Sequence, residues 1–422
     1  MASAKAYDIL VMGASGFTGQ LVSKYLATQA PLQNFTFAVG GRNRQKIEEK
    51  MREVGVKPAA VLIADSSDEE ALRKAVKQVK VVISLIGPYL IHGEPLVKVC
   101  AEEGVHYVDL TGENPFIYKT NQKYGRIALE NTATIIHCCG FDSIPSDIGA
   151  FLAVQRLKQA GGDDVRAGKV RTSFRAKGGM SGGTLASIVN MRETEDKEAL
   201  KVAADTYALS PIRGVHKGRP VVVGSQTFQG KTTWGAFFMM APVNTAVVHR
   251  SWGVLESADP SSRVLAYGPR FHYDEFLKMP GPISAFLASL TFFTVFGSIF
   301  LISPIRWLVK RFGPKSGEGP SPEAQQNGWY ETTTVAKSED GRYESRVVQK
   351  AKGDPGYLAT SVLISSCALC LLKDYDRLPP IAKHGGFLTP ATALGNVLVE
   401  RLEATGRFQF KVEDGGDARK TR

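Results

Sequence analysis

The sequence is poor in cysteine and lacks a metal-ligand cluster. Five cysteines occur among 422 residues, an odd number without framework spacing, which excludes a disulfide-stapled fold and predicts a reducing compartment. Cys367 and Cys370 lie in an apolar helical run (362–372) and have no second pair, so we interpret them as buried thiols rather than a redox or zinc pair. The seven histidines are scattered without ligand spacing, so we predict no metal site.

Signals of secretion and of nucleic-acid binding are also lacking. The first strand begins by about Tyr7, which leaves no room for a signal or transit peptide, so we expect no secretory address. The formal net charge is +11, but acids interleave with the bases and no aromatic and basic array is present, so nucleic acid is not an expected partner. The excess positive charge suits an anionic cofactor or an anionic membrane surface.

What the sequence does contain is a glycine turn between an apolar strand and an amphipathic helix. Glycines at this spacing provide a tight turn, close approach to a phosphate and contact between helix and sheet, and the helix N-terminus adds free amide donors. The order of strand, turn and helix predicts a Rossmann dinucleotide site rather than a structural turn. The predicted phosphate-binding residues are Gly13, Ala14, Ser15, Gly16, Phe17, Thr18 and Gly19.

The residues after the second strand (35–41) favour NADP(H) over NAD(H). Arg42 and Asn43 stand where NAD-specific folds carry an acid for the ribose 2′-hydroxyl. An arginine fork pairs with a 2′-phosphate, which an acid would repel. The alternative is that Arg42 and Arg44 are ordinary solvated residues at a helix start. Asp65, at the end of the third strand, is expected beside the adenine ring.

Further candidates follow later strands. Carboxyl ends of parallel strands face the ligand crevice, so we expect Ser84, Gly87 and Pro88 near the pyrophosphate or nicotinamide, unless they only close a strand. Tyr89 and Asp142 also follow strand ends, and we predict that they donate a proton or orient the substrate. Cys139 is a candidate nucleophile, but a small buried strand residue is the favoured interpretation.

The usual carbonyl-reducing pair is missing. None of the 13 tyrosines is followed by a lysine four residues on, which argues against short-chain-dehydrogenase chemistry while leaving cofactor binding intact. An enoyl or imine reduction needs only a positioned acceptor, stabilisation of developing charge and a proton donor.

The second half contains an unusual apolar segment. Residues 279–305 carry no charge and follow Lys278, and their length meets the criterion for a membrane span. Pro280, Pro282, Pro304 and Gly297 interrupt the segment, so we favour shallow embedding in a membrane face over a full crossing. A buried helix or a homodimer interface is the alternative. Alternation in residues 343–348 predicts a half-exposed antiparallel sheet in this half.

Five short motifs, in order, resemble the saccharopine dehydrogenase-like oxidoreductases, a family that includes the mycobacterial trans-acting enoyl reductases and a lipid-droplet-associated animal member. The likeness extends to residues 385–395 and so covers most of the chain. The motifs are GASGFTG (13–19), GGRN (40–43), GPY (87–89), YVDLTGE (107–113) and GFDSIPSD (140–147).

The resemblance implies an α/β fold with an N-terminal Rossmann doubly wound parallel sheet, a second α+β domain, and a C-terminal helix that returns to the first. With the polar break after Gly161, the expected domains are 1–160, 161–380 with the apolar segment 279–305, and 381–422 with a polar tail.

The leading hypothesis is an NADP(H)-dependent oxidoreductase that reduces a lipid-like or thioester-linked enoyl acceptor. We expect it on the cytosolic face of membranes or lipid droplets, and in the cytoplasm otherwise. The alternatives are a non-catalytic nucleotide sensor or scaffold, and a saccharopine-type imine oxidoreductase. The last would need basic residues to hold several carboxylates, and the sequence does not place such a cluster.

Overall fold

The computed structural model of the chain describes residues 5–178, 197–215, 221–301 and 319–417. The sequence also contains a glycine-rich cluster at 178–183, where an anion-binding turn or a flexible turn before a helix is expected, and this stretch lies almost wholly outside the described residues. The same holds for 302–305 at the end of the apolar segment.

The N-terminal unit alternates strands and helices as the sequence predicts. Its strands are β1 (Ile9–Met12), β2 (Phe37–Gly41), β3 (Ala60–Ile63), β4 (Val81–Ser84), β5 (His106–Asp109) and β6 (Thr134–Ile136). Its helices are α1 (Phe17–Gln33), α2 (Arg44–Glu53), α3 (Glu69–Val76), α4 (Tyr89–His92), α5 (Glu94–Glu102), α6 (Asn114–Glu130) and α7 (Ile144–Gly161).

These strands form a parallel sheet with helices on both faces. The order is β13-β6-β5-β4-β1-β2-β3, where β13 (Gly386–Leu388) comes from near the C-terminus and pairs in parallel with β6. Alternate residues of β1 belong to two separate cores, Ile9 and Val11 to one and Leu10 and Met12 to the other, because successive side chains of a strand point to opposite faces. The predicted Rossmann sheet is confirmed.

The second unit is built on a mixed sheet. Its strands are β7 (Ala167–Lys177), β8 (Val223–Phe228), β9 (Lys231–Ala236), β10 (His272–Met279), β11 (Trp329–Ser338), β12 (Tyr343–Lys352) and β14 (Phe408–Asp417), in the order β14-β12-β11-β7-β10-β9-β8. Its helices are α8 (Lys197–Ala204), α9 (Ala241–Glu256), α10 (Pro260–Arg263), α11 (Pro282–Leu301) and α12 (Pro322–Asn327). The predicted hairpin is β11 with β12.

One strand expectation in this unit is wrong. Sequence patterning favours strands over 220–223 and 235–240, but β8 and β9 form a tight hairpin that turns at Gln229 and Gly230, both with positive φ. Residues 237–240 leave the sheet and connect it to α9. Polar Thr and Gln residues fill this hairpin, so hydrophobicity does not mark it.

The C-terminal part returns to the first unit earlier than expected. A π-helical turn (Pro355–Ala359) leads into α13 (Thr360–Lys373), which packs on α1, β4 and β5. A 3-10 turn (Tyr375–Arg377), α14 (Pro380–Lys383), β13 and α15 (Pro390–Ala404) follow. The expected boundary at 380 therefore falls after the chain has rejoined the Rossmann sheet. Within the expected polar tail, the described residues up to Asp417 belong to β14, which pairs with β12 at the edge of the second sheet.

Among the described residues, one helical stretch is long and apolar enough to cross a membrane. It is Pro355–Lys373, and 83% of its most apolar part is buried inside the protein. This stretch is a core helix, and it contains Cys367 and Cys370 as the buried, free thiols that the sequence predicts.

Candidate active site

The glycine turn after β1 has the geometry of a phosphate cradle. Gly13 has φ +84°, and a Cβ there would lie 2.7 Å from the Leu85 carbonyl oxygen. A Cβ on Gly19 would lie 2.3 Å from the Gly13 carbonyl oxygen. Glycine is therefore required at both positions to bring the start of α1 against the end of β1.

Free donors line this turn. Gly16 precedes α1 without a side-chain cap, and the first-turn amides from Phe17 onwards have no intrahelical acceptor. Ser15, Gly16, Phe17 and Thr18 are partly exposed, whereas Ala14 is buried beneath them. Partly exposed amides at a positive helix end suit a pyrophosphate.

Arg42 directly follows β2, where the sequence predicts the ribose end of the cofactor. Its side chain is exposed directly after β2, and it makes no hydrogen bond or ion pair within the described residues. Arg44 is engaged elsewhere, with Glu48 at 3.3 Å and the Val61 carbonyl oxygen at 3.2 Å. Arg42 is thus the arginine free to meet a 2′-phosphate.

Asn43 and Asp65, two polar residues near Arg42, accept hydrogen bonds from residues that follow them in the chain. The Asn43 Oδ1 accepts a hydrogen bond from the Lys46 amide at 2.9 Å and caps α2. The Asp65 carboxylate accepts hydrogen bonds from the amide and hydroxyl of Ser67, which lower its pKa, and the charge of Arg42 lowers it further. Asp65 therefore lies close to Arg42, where the adenosine end of a dinucleotide is expected.

The structure gives Ser84 and Tyr89 roles beneath the crevice rather than in it. Ser84 is fully buried, and its carbonyl accepts a hydrogen bond from the Tyr89 hydroxyl at 3.0 Å. That hydroxyl also accepts the Leu110 amide at 3.2 Å, and burial raises its pKa well above the usual value. Because its hydroxyl proton is donated to the Ser84 carbonyl, Tyr89 links β4 to the loop after β5. These contacts do not favour Tyr89 as a proton donor to substrate.

Gly87 and Pro88 lie in the loop after β4, and their place beside the cofactor stays a prediction. Gly87 is exposed and Pro88 is half-buried at the end of the loop after β4. Pro88 precedes α4, whose first amides, those of Tyr89 and Leu90, donate to the buried Glu113 carboxylate at 3.0 and 2.7 Å. The loop is held from below by Glu113, and its glycine faces the crevice.

Asp142, in the loop after β6, combines an exposed side chain with a raised pKa. Its side chain is solvent-exposed and forms no hydrogen bond or ion pair with any described residue. Protein atoms nevertheless surround the carboxyl closely enough that desolvation raises its pKa to about 6. Asp142 can therefore hold a proton near neutral pH.

A buried polar network anchors the loop that carries Asp142. The Ser143 hydroxyl donates to Asn244 Oδ1 at 3.0 Å, and Asn244 Nδ2 donates to Glu275 Oε1 at 2.8 Å. The other oxygen of Glu275 accepts hydrogen bonds from Ser146 and Tyr273, each at 2.7 Å. Burial raises the pKa of Glu275 to about 7. This network ties α7 of the first unit to β10 and α9 of the second.

The sequence did not predict the Glu275 network or the buried pair of His137 and Asp109. His137 Nδ1 lies 2.6 Å from Asp109 Oδ2, which also accepts the Tyr107 hydroxyl at 3.0 Å. Asp109 ends β5 and His137 directly follows the neighbouring strand β6, a signal that could have paired them. Asn244 and Glu275 lie far along the chain from α7, and no local pattern marks them.

Cys139 is not placed as a nucleophile. It is fully buried, and its thiol donates to the Ile136 carbonyl at 3.4 Å. Burial raises its pKa well above the usual value, so little reactive thiolate forms. The interpretation as a small buried residue therefore holds. Within the part of the chain that the structure describes, no group of three or more His, Cys, Asp or Glu side chains is suited to a metal ion.

Comparison with known proteins places this site in a family. A sequence model of the saccharopine dehydrogenase NADP binding domain matches residues 9–136, which span β1 to β6. A trans-acting enoyl reductase of Mycobacterium bovis is 32% identical over 95% of this chain and 97% of its own length. The chain belongs to the saccharopine dehydrogenase-like oxidoreductase family. NADP(H) is accordingly its cofactor, and the expectation drawn from Arg42 is confirmed at the level of the cofactor.

Other members of the saccharopine dehydrogenase-like family match along the whole chain. A Mycobacterium tuberculosis protein named as a trans-acting enoyl reductase is 36% identical over 96% of this chain and 97% of its own length. A Caenorhabditis elegans protein named as lipid droplet localized is 30% identical over 97% and 99%. The solved structure of Saccharomyces cerevisiae saccharopine dehydrogenase has a TM-score of 0.52 at 13% identity, covering 97% of this chain and 99% of that one. This last likeness shows a shared fold.

Proposed function

We propose that this family member is an NADPH-dependent reductase of a lipid-like or thioester-linked enoyl acceptor, working at a membrane or lipid-droplet surface. The observation that carries the proposal is Asp142, an unpaired acid with a pKa of about 6 at the strand ends that face the cofactor. The names of the mycobacterial relatives support the enoyl substrate, and that of the nematode relative supports the lipid surface.

Each residue of the site has a defined task in this reaction. NADPH, when bound, supplies a hydride for the β carbon of the enoyl group. The amides of Phe17 and Thr18 hold its pyrophosphate, and Arg42 pairs with its 2′-phosphate. Asp142 delivers a proton to the α carbon, and its raised pKa keeps part of the population protonated near neutral pH. The Ser143–Asn244–Glu275 network fixes the loop that carries Asp142.

The surface of α11 supports a lipid location. Apolar side chains at helical spacing are exposed along one face, with Ile283 75%, Phe286 52%, Leu287 54% and Leu290 49% exposed. A stripe at i, i+3, i+4 and i+7 forms one continuous side of a helix. A helix with its apolar side turned outward is not a core helix, and it suits shallow insertion between lipids. A homodimer in which two such faces meet remains the alternative proposal.

Saccharopine-type chemistry has less support. That reaction would use basic side chains to hold several carboxylates. The most deeply buried arginine near the strand ends, Arg250, instead donates to the backbone carbonyls of Leu209 and Phe387. Its guanidinium is therefore committed to the fold.

Turnover with purified full-length protein tests the proposal. NADPH oxidation is followed with enoyl thioesters, cyclic imines and aldehydes of matched chain length, each with and without phospholipid vesicles. We expect the enoyl thioesters to be reduced, with the saturated thioester as product by mass spectrometry. Tight NADPH binding without reduction of any acceptor would contradict the proposal and favour a nucleotide sensor.

A further inference from the structure

The side of α11 opposite its exposed stripe is fastened to the end of β9. Ala285 and Ser289 are fully buried there. The Ser289 hydroxyl accepts a hydrogen bond from the Phe237 amide at 2.8 Å and donates to the Val222 carbonyl. The Phe237 ring packs against α11 as well, 5.0 Å from the ring centre of Phe292 and 4.8 Å from that of Phe293. The exposed helix is thus joined directly to the connection 237–240.

From Phe237 the apolar contacts continue toward Asp142. The next residue, Phe238, stacks on Phe174 with ring centres 4.6 Å apart. Phe174 meets Phe141 edge to face at 6.2 Å, and Phe141 directly precedes Asp142. Aromatic side chains therefore connect the exposed helix to the candidate acid.

The same connection ends beside the cofactor crevice. A Cβ on Gly112 would lie 3.7 Å from the Met240 methyl carbon. Gly112 lies in the loop after β5, at the edge where strand ends face NADP(H). Residues 237–240 are all half-buried rather than packed away. A flexible methionine beside a glycine gives an adaptable apolar wall.

We propose that Phe237, Phe238 and Met240 line a groove for the hydrocarbon chain of the substrate, leading from the lipid-facing side of α11 to Asp142. The inference rests on the proposed function and names the part of the substrate that this surface selects. We assign an acyl chain as the occupant because the proposed lining is apolar, its aromatic contacts lead to Phe141 beside Asp142, and Met240 meets Gly112 of the NADP(H)-binding unit. A substrate can then pass from a lipid layer to the reacting centre without exposing its chain to water.

Chain-length dependence provides the test, with full-length protein and two readouts. One is kcat/KM for butenoyl, octenoyl, dodecenoyl and hexadecenoyl thioesters. The other is calorimetric binding of the saturated thioesters in the presence of NADP+, which needs no turnover. We expect both to improve with chain length by up to about fourfold per methylene buried. Phe238→Ser and Met240→Ser should abolish most of the gain for long chains and weaken butanoyl binding much less.

Controls separate the groove from folding and from the chemistry. Leu32→Ser removes an apolar side chain that is 77% exposed on α1 and should leave the chain-length dependence unchanged, while the NADPH dissociation constant reports whether each variant is folded. Binding that depends on chain length without any turnover would uphold the groove and contradict the proposed reaction. Affinity independent of chain length, or unaffected by both groove substitutions in folded protein, would overturn the inference.

Discussion

Arg42 and Asp142, the two charged candidate site residues after β2 and β6, share the lack of a hydrogen-bonding or ionic partner within the described residues. Both side chains are exposed. Charged groups of a fold are usually solvated or paired, and an acid that is both unpaired and desolvated has a perturbed pKa, a frequent property of functional sites. Tyr89, with its hydroxyl committed to two backbone groups, illustrates the opposite case.

Replacing Arg42 should change cofactor choice more than fold. We expect Arg42→Ala to weaken NADPH binding by roughly ten- to a hundredfold, since a charge-assisted hydrogen bond contributes about 1.5–3 kcal/mol, and to leave NADH binding almost unchanged. Titration of cofactor fluorescence measures both. Arg44→Ala is the matched control, because that side chain pairs with Glu48. Equal losses in the two variants would argue against contact between Arg42 and the 2′-phosphate.

The pH dependence of reduction should follow Asp142. The acid must carry its proton to donate it, so kcat should be highest below the pKa of about 6 and fall as the pH rises through that value. Asp142→Asn should lower kcat by about a hundred- to ten-thousandfold and remove this decline. Stopped-flow single turnovers across the pH range would measure both effects. A variant that keeps the decline would show that another group supplies the proton.

At the scale of elements, α11 has one face that is packed on the protein and an opposite apolar face that is exposed. Ser289 fastens one face to β9, while the stripe from Ile283 to Leu290 meets no described part of the protein closely enough to be buried. A side chain such as Leu or Phe gains about 1.5–3 kcal/mol when it leaves water. These exposed apolar side chains are the basis of the proposed contact with a lipid layer.

Charges on the exposed stripe should abolish lipid association. We expect the double substitution Phe286→Asp and Leu290→Asp to reduce co-flotation with triacylglycerol emulsions and anionic vesicles at least tenfold, because two desolvated carboxylates oppose insertion. Leu32→Asp, at an apolar residue 77% exposed on α1, is the control for added charge. If the double variant floats as well as the unchanged protein, α11 is not the lipid-binding element. A smaller apparent mass of that variant would instead support the homodimer alternative.

For the whole molecule, one buried acid lies at the contact between the two units. Glu275 is 1% exposed on β10 and accepts hydrogen bonds from α7 and α9. Its pKa rises from the usual 4.5 to about 7 because burial penalises the charge. The folded protein therefore binds this proton more tightly than the unfolded chain does.

The sign of this linkage gives a prediction for stability. From Glu275 alone, the free energy of unfolding should fall as the pH rises from the unfolded pKa to the folded one, by at most roughly 3 kcal/mol. Glu275→Gln should remove that part of the fall, which denaturant unfolding near pH 5 and near pH 8 would measure. Glu323→Gln, at an exposed residue of α12, should not. If Glu275→Gln keeps the same pH dependence of stability, Glu275 does not bind its proton more tightly in the folded protein.

The sequence by itself determined the Rossmann half, because its signals are local. The apolar run before Gly13, the glycine spacing and the residues after each strand act over a few positions, and the backbone of a parallel sheet brings strand ends together without further instruction. The position of Arg42 and Asp142 followed from this rule. The apolar character of α11 was also visible in the sequence, because a run without charged residues is a local signal.

Only the tertiary structure decided which of these residues face the crevice and what lies across it. Ser84 and Tyr89 follow a strand end as Asp142 does, but their packing turns them inward. The Glu275 network, the path from Phe237 to Phe141, and β13 and β14 join residues far apart in the chain. Such contacts arise from the packing of two sheets and their helices, whose specificity lies in three-dimensional shape rather than in any local pattern of residues.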